Sequence, residues 1–167
     1  GANALQFSWE NTLIDPTSLE MLAGPLVPRN MADVVMGLEP LELLRAAPYF
    51  NPASQVLLNA HIQYPVDVVA GKVEYPALST IEARIRGLCS NLWTVDATEL
   101  AQKIGEVRAA NTIMVGVLAG LHLTPIEPAA FEQVIAAQFA DRSVRAANQV
   151  AFRSGVEHGT RLRTGQA

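Results

Sequence analysis

Short apolar runs that end on, or are followed directly by, a polar residue or a glycine recur along the first two thirds of the chain. They occupy Asp33 to Gly37, Gln55 to Asn59 and Leu92 to Val95. Runs of this length and composition are typical of buried strands. The first two runs are separated by a helical pattern, and strand, helix, strand within about 27 residues predicts a βαβ unit with parallel strands and a right-handed crossover.

The first run is followed by two glutamates at the start of a predicted helix. Pro40 suits the first helical position, because a missing N–H group costs nothing there, and the helix should end before Pro48. Glu39 and Glu42 then fall before or within the first turn, where they can accept hydrogen bonds from free backbone N–H groups. A second interpretation is that they face a ligand or partner, because α/β folds bind ligands at the carboxyl ends of strands.

The middle of the chain contains a predicted hairpin and two predicted helix starts. Val66 to Val69 and Lys72 to Tyr75 flank Ala70-Gly71, which predicts a two-residue turn and makes the sheet mixed. Ser79-Thr80-Ile81-Glu82 is a capping-box pattern, and Asp96-Ala97-Thr98-Glu99 repeats the signature after the third strand.

The last third of the chain is predicted to be helical. Ala109 to Leu121 is apolar on every face, which indicates a helix buried on all sides, and helices are predicted at Ala129 to Ala140 and Arg142 to Gly159. Near the amino terminus we predict a strand around Leu5 to Trp9 and a short helix around Ser18 to Leu22. The predicted class is α/β: a wound mixed sheet of mainly parallel βαβ units with a hairpin excursion, followed by a C-terminal helical part.

Composition narrows the classes of function. The 167 residues are 50% hydrophobic and 17% charged, with a net charge of -4. One domain is expected, and its charge-poor surface favours contact with another protein. The few scattered basic residues argue against nucleic-acid binding. The sequence shows no signal peptide and no run long enough to span a bilayer, so we expect a cytoplasmic protein without a membrane partner.

The residues that carry chemistry do not form a self-contained active site. Cys89 is the single cysteine, so this chain cannot build an intrachain disulfide, a cysteine zinc site or an iron–sulfur cluster. No nucleophile motif or glycine-rich phosphate loop is present. Asn59 and His61 follow the second strand, and Asn111 enters an apolar helix, where its amide either caps the helix or reaches a site. With Glu39 and Glu42, these are the candidate residues for facing a ligand or partner; none is expected to be catalytic or to bind a metal.

Several ordered segments resemble the gamma subunit or domain of 2-oxoacid:ferredoxin oxidoreductases. The closest variant is similar to the beta (small) subunit of indolepyruvate oxidoreductase. The segments that carry the resemblance are Asp33-Val34-Val35-Met36-Gly37-Leu38-Glu39-Pro40-Leu41-Glu42, Tyr75-Pro76-Ala77-Leu78, Val95-Asp96-Ala97-Thr98-Glu99-Leu100-Ala101, Arg108-Ala109-Ala110-Asn111-Thr112-Ile113-Met114-Val115-Gly116, Thr124-Pro125-Ile126-Glu127 and Asn148-Gln149-Val150-Ala151-Phe152-Arg153.

The resemblance implies an assembly in which other subunits carry the chemistry. The family couples oxidative decarboxylation of a 2-oxoacid to ferredoxin reduction, with thiamine diphosphate, magnesium and iron–sulfur clusters on partner domains or subunits. This chain would bind none of these groups and would be inactive alone. It would pack against the thiamine-bearing subunit and meet ferredoxin only indirectly. Coenzyme A is the acyl acceptor, and in pyruvate-type relatives this domain is thought to help position it.

The chain departs from the family pattern at its start. Family members usually open with a strand and a loop of the form Gly-x-Gly-Gly-Gln-Gly, which does not occur in this sequence. Contact with coenzyme A through that loop is therefore left open, as is a homodimer of the isolated chain. The missing loop also motivates an alternative, a non-enzymatic binding or scaffold module that retains the fold. We expect an N-terminal segment over residues 1–24, a gamma-type domain over 25–160 and a tail over 161–167.

Overall fold

The computed structural model describes residues 27–166 of the chain. Within that range the strands are β1 (Val34–Gly37), β2 (Gln55–Asn59) and β3 (Asn91–Val95). The helices are α1 (Pro40–Arg45), α2 (Val66–Val69), α3 (Leu78–Arg86), α4 (Ala97–Lys103), α5 (Ala110–Gly120), α6 (Pro128–Gln138) and α7 (Arg142–Thr164). The strand predicted around Leu5 to Trp9 and the helix predicted around Ser18 to Leu22 lie outside the described residues.

The three strands form one parallel sheet with β2 in the centre. Leu57 of β2 lies opposite Met36 of β1 and Trp93 of β3. The strand order β1-β2-β3 follows the chain, and helices fill both crossovers. The predicted α/β class, the βαβ unit and the C-terminal helical part are confirmed.

Successive side chains of a strand point to opposite sides of the sheet, so the core is divided between its two faces. Val56 and Leu58 pack with Leu92 against α1 and α3, whose buried contributions include Leu43 and Ile81. The opposite face packs against α4 and α5. Its buried members include Leu57, Val95, Ala101, Ile113, Met114 and Val117. The sheet is therefore covered on both faces, as parallel sheets usually are.

The helices α5 and α7 touch backbone to backbone. A Cβ atom added at Gly116 would lie 2.2 Å from the carbonyl oxygen of Phe152, and one added at Gly155 would lie 2.2 Å from that of Ile113. Four residues further along both helices, Gly120 and Gly159 repeat the contact. Because the matching positions advance in the same direction, the two helices run parallel, and α6 lies in the connection between them.

The predicted hairpin is wrong. Val66–Val69 is the short helix α2, closed by a hydrogen bond from the Ala70 N–H to the Val66 carbonyl at 2.8 Å. Residues 72–75 are not in a strand, so the described sheet is parallel throughout rather than mixed. Gly71 adopts a left-handed conformation with φ of 71° in the turn that follows α2. The valines suggested a strand, but strand preference depends on a neighbouring strand to pair with, and the described sheet offers none here.

Two helix ends also differ from expectation. The helix α3 starts at Leu78, and its N-cap residue Ala77 has no side-chain cap, so the capping box at Ser79 is wrong. The carboxylate of Glu82 instead accepts a hydrogen bond from the Thr94 hydroxyl of β3. Helix α7 continues past its expected end at Gly159 to Thr164, where Gly165 with φ of 72° provides the left-handed cap. No helix within residues 27–166 is long and apolar enough to cross a membrane.

Candidate partner-facing site

The carboxyl ends of the three strands share one edge of the sheet, since the strands are parallel. Leu38 and Glu39 follow β1, and Asn59 is the last residue of β2. Asp96 follows β3 and caps α4, because its carboxylate accepts a hydrogen bond from the Glu99 N–H at 2.8 Å. Polar groups from three successive strand ends are thereby brought to the same edge.

Asn59 connects these strand ends. Its side chain is buried, with 4% of the residue exposed, and its Nδ2 donates to the Leu38 carbonyl at 3.2 Å. Its Oδ1 accepts hydrogen bonds from the backbone N–H of Ala97 at 3.1 Å and of His61 at 3.4 Å. Ala97 is fully buried, so its N–H has no access to water. The side-chain amide of Asn59 therefore links the residue that follows β1 to the start of α4 through hydrogen bonds.

Glu39 and Tyr75 together complete the start of α1. Glu39 is the N-cap residue, and its Oε2 accepts a hydrogen bond from the Glu42 N–H at 2.9 Å. The other carboxylate oxygen accepts a hydrogen bond from the Tyr75 hydroxyl, whose oxygen accepts one from the Leu41 N–H at 3.2 Å. Free N–H groups of the first turn are thus satisfied by side chains. The capping role predicted for Glu39 is confirmed.

The remaining candidates are exposed. Glu42 forms an ion pair with Arg45 on the surface of α1, and the imidazole of His61 lies in solvent. Asn111 is exposed at the start of α5, whose N-cap residue Ala109 receives no side-chain hydrogen bond. Of the two roles predicted for Asn111, capping the helix is therefore wrong, and reaching a site stays a prediction. No hydrogen bond within residues 27–166 joins it to the other four candidates, and a shared role for the five stays a prediction.

Sequence reasoning missed Tyr75. Its phenol ring packs edge-on against Tyr64, with the ring centroids 5.5 Å apart at 81°. Because the bond to Glu39 spans 36 residues, no local pattern reports it. Burial raises the pKa of the Tyr75 phenol well above its usual range, and the hydrogen bond and negative charge of Glu39 raise it further.

We expect the Tyr75 phenol to stay protonated at pH values where a free tyrosine ionises. The neutral phenol is favoured in the folded state, so its contribution to stability is complete below the unfolded pKa of about 10. That contribution is lost as the pH rises from about 10 towards the folded pKa. Absorbance of the phenolate and the free energy of unfolding, followed from pH 9 to beyond pH 12, measure the two effects.

A Tyr75→Phe variant is the control for this titration, because it keeps the ring and removes only the hydroxyl. The late phenolate step should be missing from its absorbance curve, and its stability should fall less steeply above pH 10. If all the tyrosines of the wild-type protein ionise together near pH 10, the Glu39 contact does not hold the proton.

A groove of about 560 Å³ opens beside the first turns of α5 and α7. Thr112, Asn148 and Arg108 line it, and Thr112 and Asn148 are hydrogen-bonded to each other at 2.5 Å. None of the five candidate residues lines this groove. Thr112 and Asn148 thus bond to each other, and Asn148 Nδ2 also donates to the Val144 carbonyl. Because the first of these bonds joins α5 to α7, the pair supports the packing of the two helices.

The fold and the edge define an α/β domain whose polar side chains at the strand ends bond to nearby backbone groups and to Tyr75. The chain belongs to the pyruvate ferredoxin/flavodoxin oxidoreductase family, whose model matches residues 18–158. This finding confirms the resemblance carried by the ordered segments.

Curated relatives and a solved structure agree with this assignment. The indolepyruvate oxidoreductase subunit IorB of Archaeoglobus fulgidus is 39% identical over 102 residues, 61% of this chain and 51% of that protein. The IorB subunit of Thermococcus kodakarensis is 28% identical over 83% of this chain and 68% of its own length. The crystal structure of the pyruvate oxidoreductase subunit PORC of Thermotoga maritima shares the fold, with a TM-score of 0.50 and 24% identity over 77% of this chain and 64% of that one. This chain spans about half the length of the Archaeoglobus protein.

The donor atoms of the described residues do not fit a metal centre. No group of three or more His, Cys, Asp or Glu side chains that could hold a metal ion occurs within residues 27–166. Cys89, the only thiol, is buried, and burial raises its pKa. Magnesium and iron–sulfur ligation by this part of the chain is thus not supported by its side chains.

Proposed function

We propose that the chain is the gamma-type subunit of a 2-oxoacid:ferredoxin oxidoreductase, with indolepyruvate or a related 2-oxoacid as substrate. The observation that carries the proposal is the family match over residues 18–158. The relatives at 28–39% identity are named as indolepyruvate oxidoreductase subunits, which favours an aromatic 2-oxoacid.

In this proposal the chain supplies a surface and partner subunits supply the reaction. Thiamine diphosphate, magnesium and iron–sulfur clusters belong to those partners, and ferredoxin receives electrons from them. Asn59 and Glu39 support this role, because their side chains bond to neighbouring backbone and to Tyr75 rather than standing free for proton transfer. The role proposed for this chain is therefore positioning, together with contact with coenzyme A if it makes any.

Reconstitution tests the proposal. We expect the chain to form a stable complex at micromolar concentration with the thiamine-bearing subunit of an indolepyruvate oxidoreductase, expressed with its cofactors. The complex should reduce ferredoxin in the presence of indolepyruvate and coenzyme A, while this chain alone should not. Native mass spectrometry gives the stoichiometry, and ferredoxin reduction is followed by absorbance.

Two results would contradict the proposal. One is the absence of any association at micromolar concentration. The other is a colourless homodimer that leaves the activity of the thiamine-bearing subunit unchanged, which would favour a binding or scaffold module that kept the fold.

A further inference from the structure

The connection between β2 and α3 contains a segment that makes no polar contact with the rest of the described domain. We call residues 62–74 the flap. Within residues 27–166, every hydrogen bond and ion pair of the flap joins two of its own residues. All its residues are exposed except Ile62 and Val68, which are half-buried, and none belongs to a described core cluster. Its helix α2 has four residues, too few to be stable alone.

The two ends of the flap are anchored in different ways. On the β2 side the anchor is backbone, because the Ala60 N–H donates to the Val95 carbonyl at 2.9 Å. On the α3 side the anchor is the side chain of Tyr75. Its hydroxyl donates to Glu39 and accepts a hydrogen bond from the Leu41 N–H at 3.2 Å. The Tyr75 anchor can therefore be released while the sheet stays intact.

Tyr75 contributes more to the closed position than one ordinary hydrogen bond. Its acceptor is a carboxylate, and hydrogen bonds to charged groups are roughly twice as strong as those between neutral groups. The ring of Tyr64, inside the flap, also packs edge-on against the ring of Tyr75. Segments with few buried apolar contacts open locally at a low free energy. The balance between the closed and open positions of the flap is thus sensitive to Tyr75.

We propose that the flap is a lid that opens about its Ala60 end and that Tyr75 is the latch that holds it closed. In the closed position Tyr75 occupies one carboxylate oxygen of Glu39, a half-buried residue at the edge where the strands end. Opening frees this oxygen, while the other still caps α1 through the Glu42 N–H. A ligand or partner that donates a hydrogen bond to the freed oxygen competes with Tyr75 and so favours the open position.

Limited trypsin digestion of the full chain tests the latch. Lys72 is the only lysine or arginine between Arg45 and Arg84, so a cut in the flap gives a defined pair of fragments. The cutting rate follows the population of the open position when opening and closing are fast. We expect Tyr75→Phe to be cut at Lys72 about tenfold faster than wild type. Phenylalanine keeps the ring, so the variant should fold, which circular dichroism verifies.

Gly116→Ala is the control for a general loss of stability, because it disturbs the contact between α5 and α7 and leaves the latch unchanged. Any faster cutting of this variant should include helical sites such as Arg84 and Arg153 as well as Lys72. Tyr75→Phe should be cut faster at Lys72 alone. If Tyr75→Phe is cut at Lys72 no faster than wild type, or equally fast at the helical sites, Tyr75 is not a latch and the inference is overturned.

Access to Glu39 is tested by carbodiimide coupling of a small amine to carboxylates, with the labelled residues located by mass spectrometry. We expect Glu39 to be labelled slowly in wild type and several-fold faster in Tyr75→Phe. Glu42 is exposed on α1 and should be labelled equally in both proteins. Equal labelling of Glu39 and Glu42 in wild type would show that the closed lid does not shield Glu39.

Both experiments use the chain without a partner, so their outcome is separate from that of the reconstitution. A failed latch test leaves the proposed function standing. A chain that does not associate with the thiamine-bearing subunit loses the proposed function, while the lid and its latch are still judged by the cutting and labelling rates.

Discussion

Gly116→Ala is expected to cost about 3 kcal/mol of stability, although alanine is the better helix former. The substitution gains about 1 kcal/mol of helix propensity. The new Cβ atom, however, would lie 2.2 Å from the Phe152 carbonyl oxygen and 2.9 Å from the Cα atom of Gly155, and neither backbone atom can rotate away. The helices must separate, which also loosens the core around Met114; forced overpacking typically costs 1–3 kcal/mol and occasionally more. Thermal unfolding should show a melting temperature lower by about 10 °C.

Gly87→Ala is the matched control. Gly87 ends α3 with ordinary right-handed angles, and an added Cβ atom there would meet only carbonyl oxygens at 3.4 Å and beyond. Its stability should stay within about 0.5 kcal/mol of wild type or rise slightly. Gly155→Ala provides a repeat from the other helix and should resemble Gly116→Ala. Equal stability of Gly116→Ala and Gly87→Ala would show that α5 and α7 are further apart than described.

Asn59→Ala is expected to destabilise the protein by about 2–4 kcal/mol. The change removes the acceptor of the Ala97 N–H, which is fully buried, and the donor to the Leu38 carbonyl. Each buried group left without a partner costs about 1–3 kcal/mol, and the missing side chain leaves a small void. Urea denaturation measures the loss as a lower midpoint with an unchanged slope.

Asn111→Ala is the comparison variant, because it makes the same change at the other candidate asparagine. Asn111 is exposed, and its side chain makes no hydrogen bond within residues 27–166. Its replacement should therefore alter stability by less than about 0.5 kcal/mol. If the two variants lose equal stability, the hydrogen bonds of Asn59 are not what stabilises this edge of the sheet. If Asn111→Ala instead weakens the complex with the thiamine-bearing subunit, its candidate role in facing a partner gains support.

Local patterns predicted the sheet well. Each strand is an apolar run that ends on Gly37, Asn59 or Val95, and the polar residues that follow point to caps at Glu39 and Asp96. A strand buried on both faces leaves this signature whatever its neighbours are. The hairpin was wrong for the converse reason, since the preference of valines for strands is realised only beside another strand.

Contacts between distant parts of the chain could not be predicted in this way. Gly159 resembled a helix end, but it lies inside α7, where it makes room for Val117 of α5. Glycines at a spacing of four in both helices were visible in the sequence, yet their pairing depends on the connection through α6. Tyr75 is similar, because the carboxylate it binds is 36 residues away.

The backbone contact between α5 and α7 has a mechanical consequence. Side chains in an ordinary helix pair can change rotamers and absorb a small displacement, whereas main chain packed against main chain has no such compliant layer. Gly120 and Gly159 continue this close contact along both helices, and Met114 of α5 belongs to the same buried cluster as Leu57 of β2. We therefore expect α5 and α7 to move as one rigid unit, to which the central strand β2 is joined through the side chains of α5.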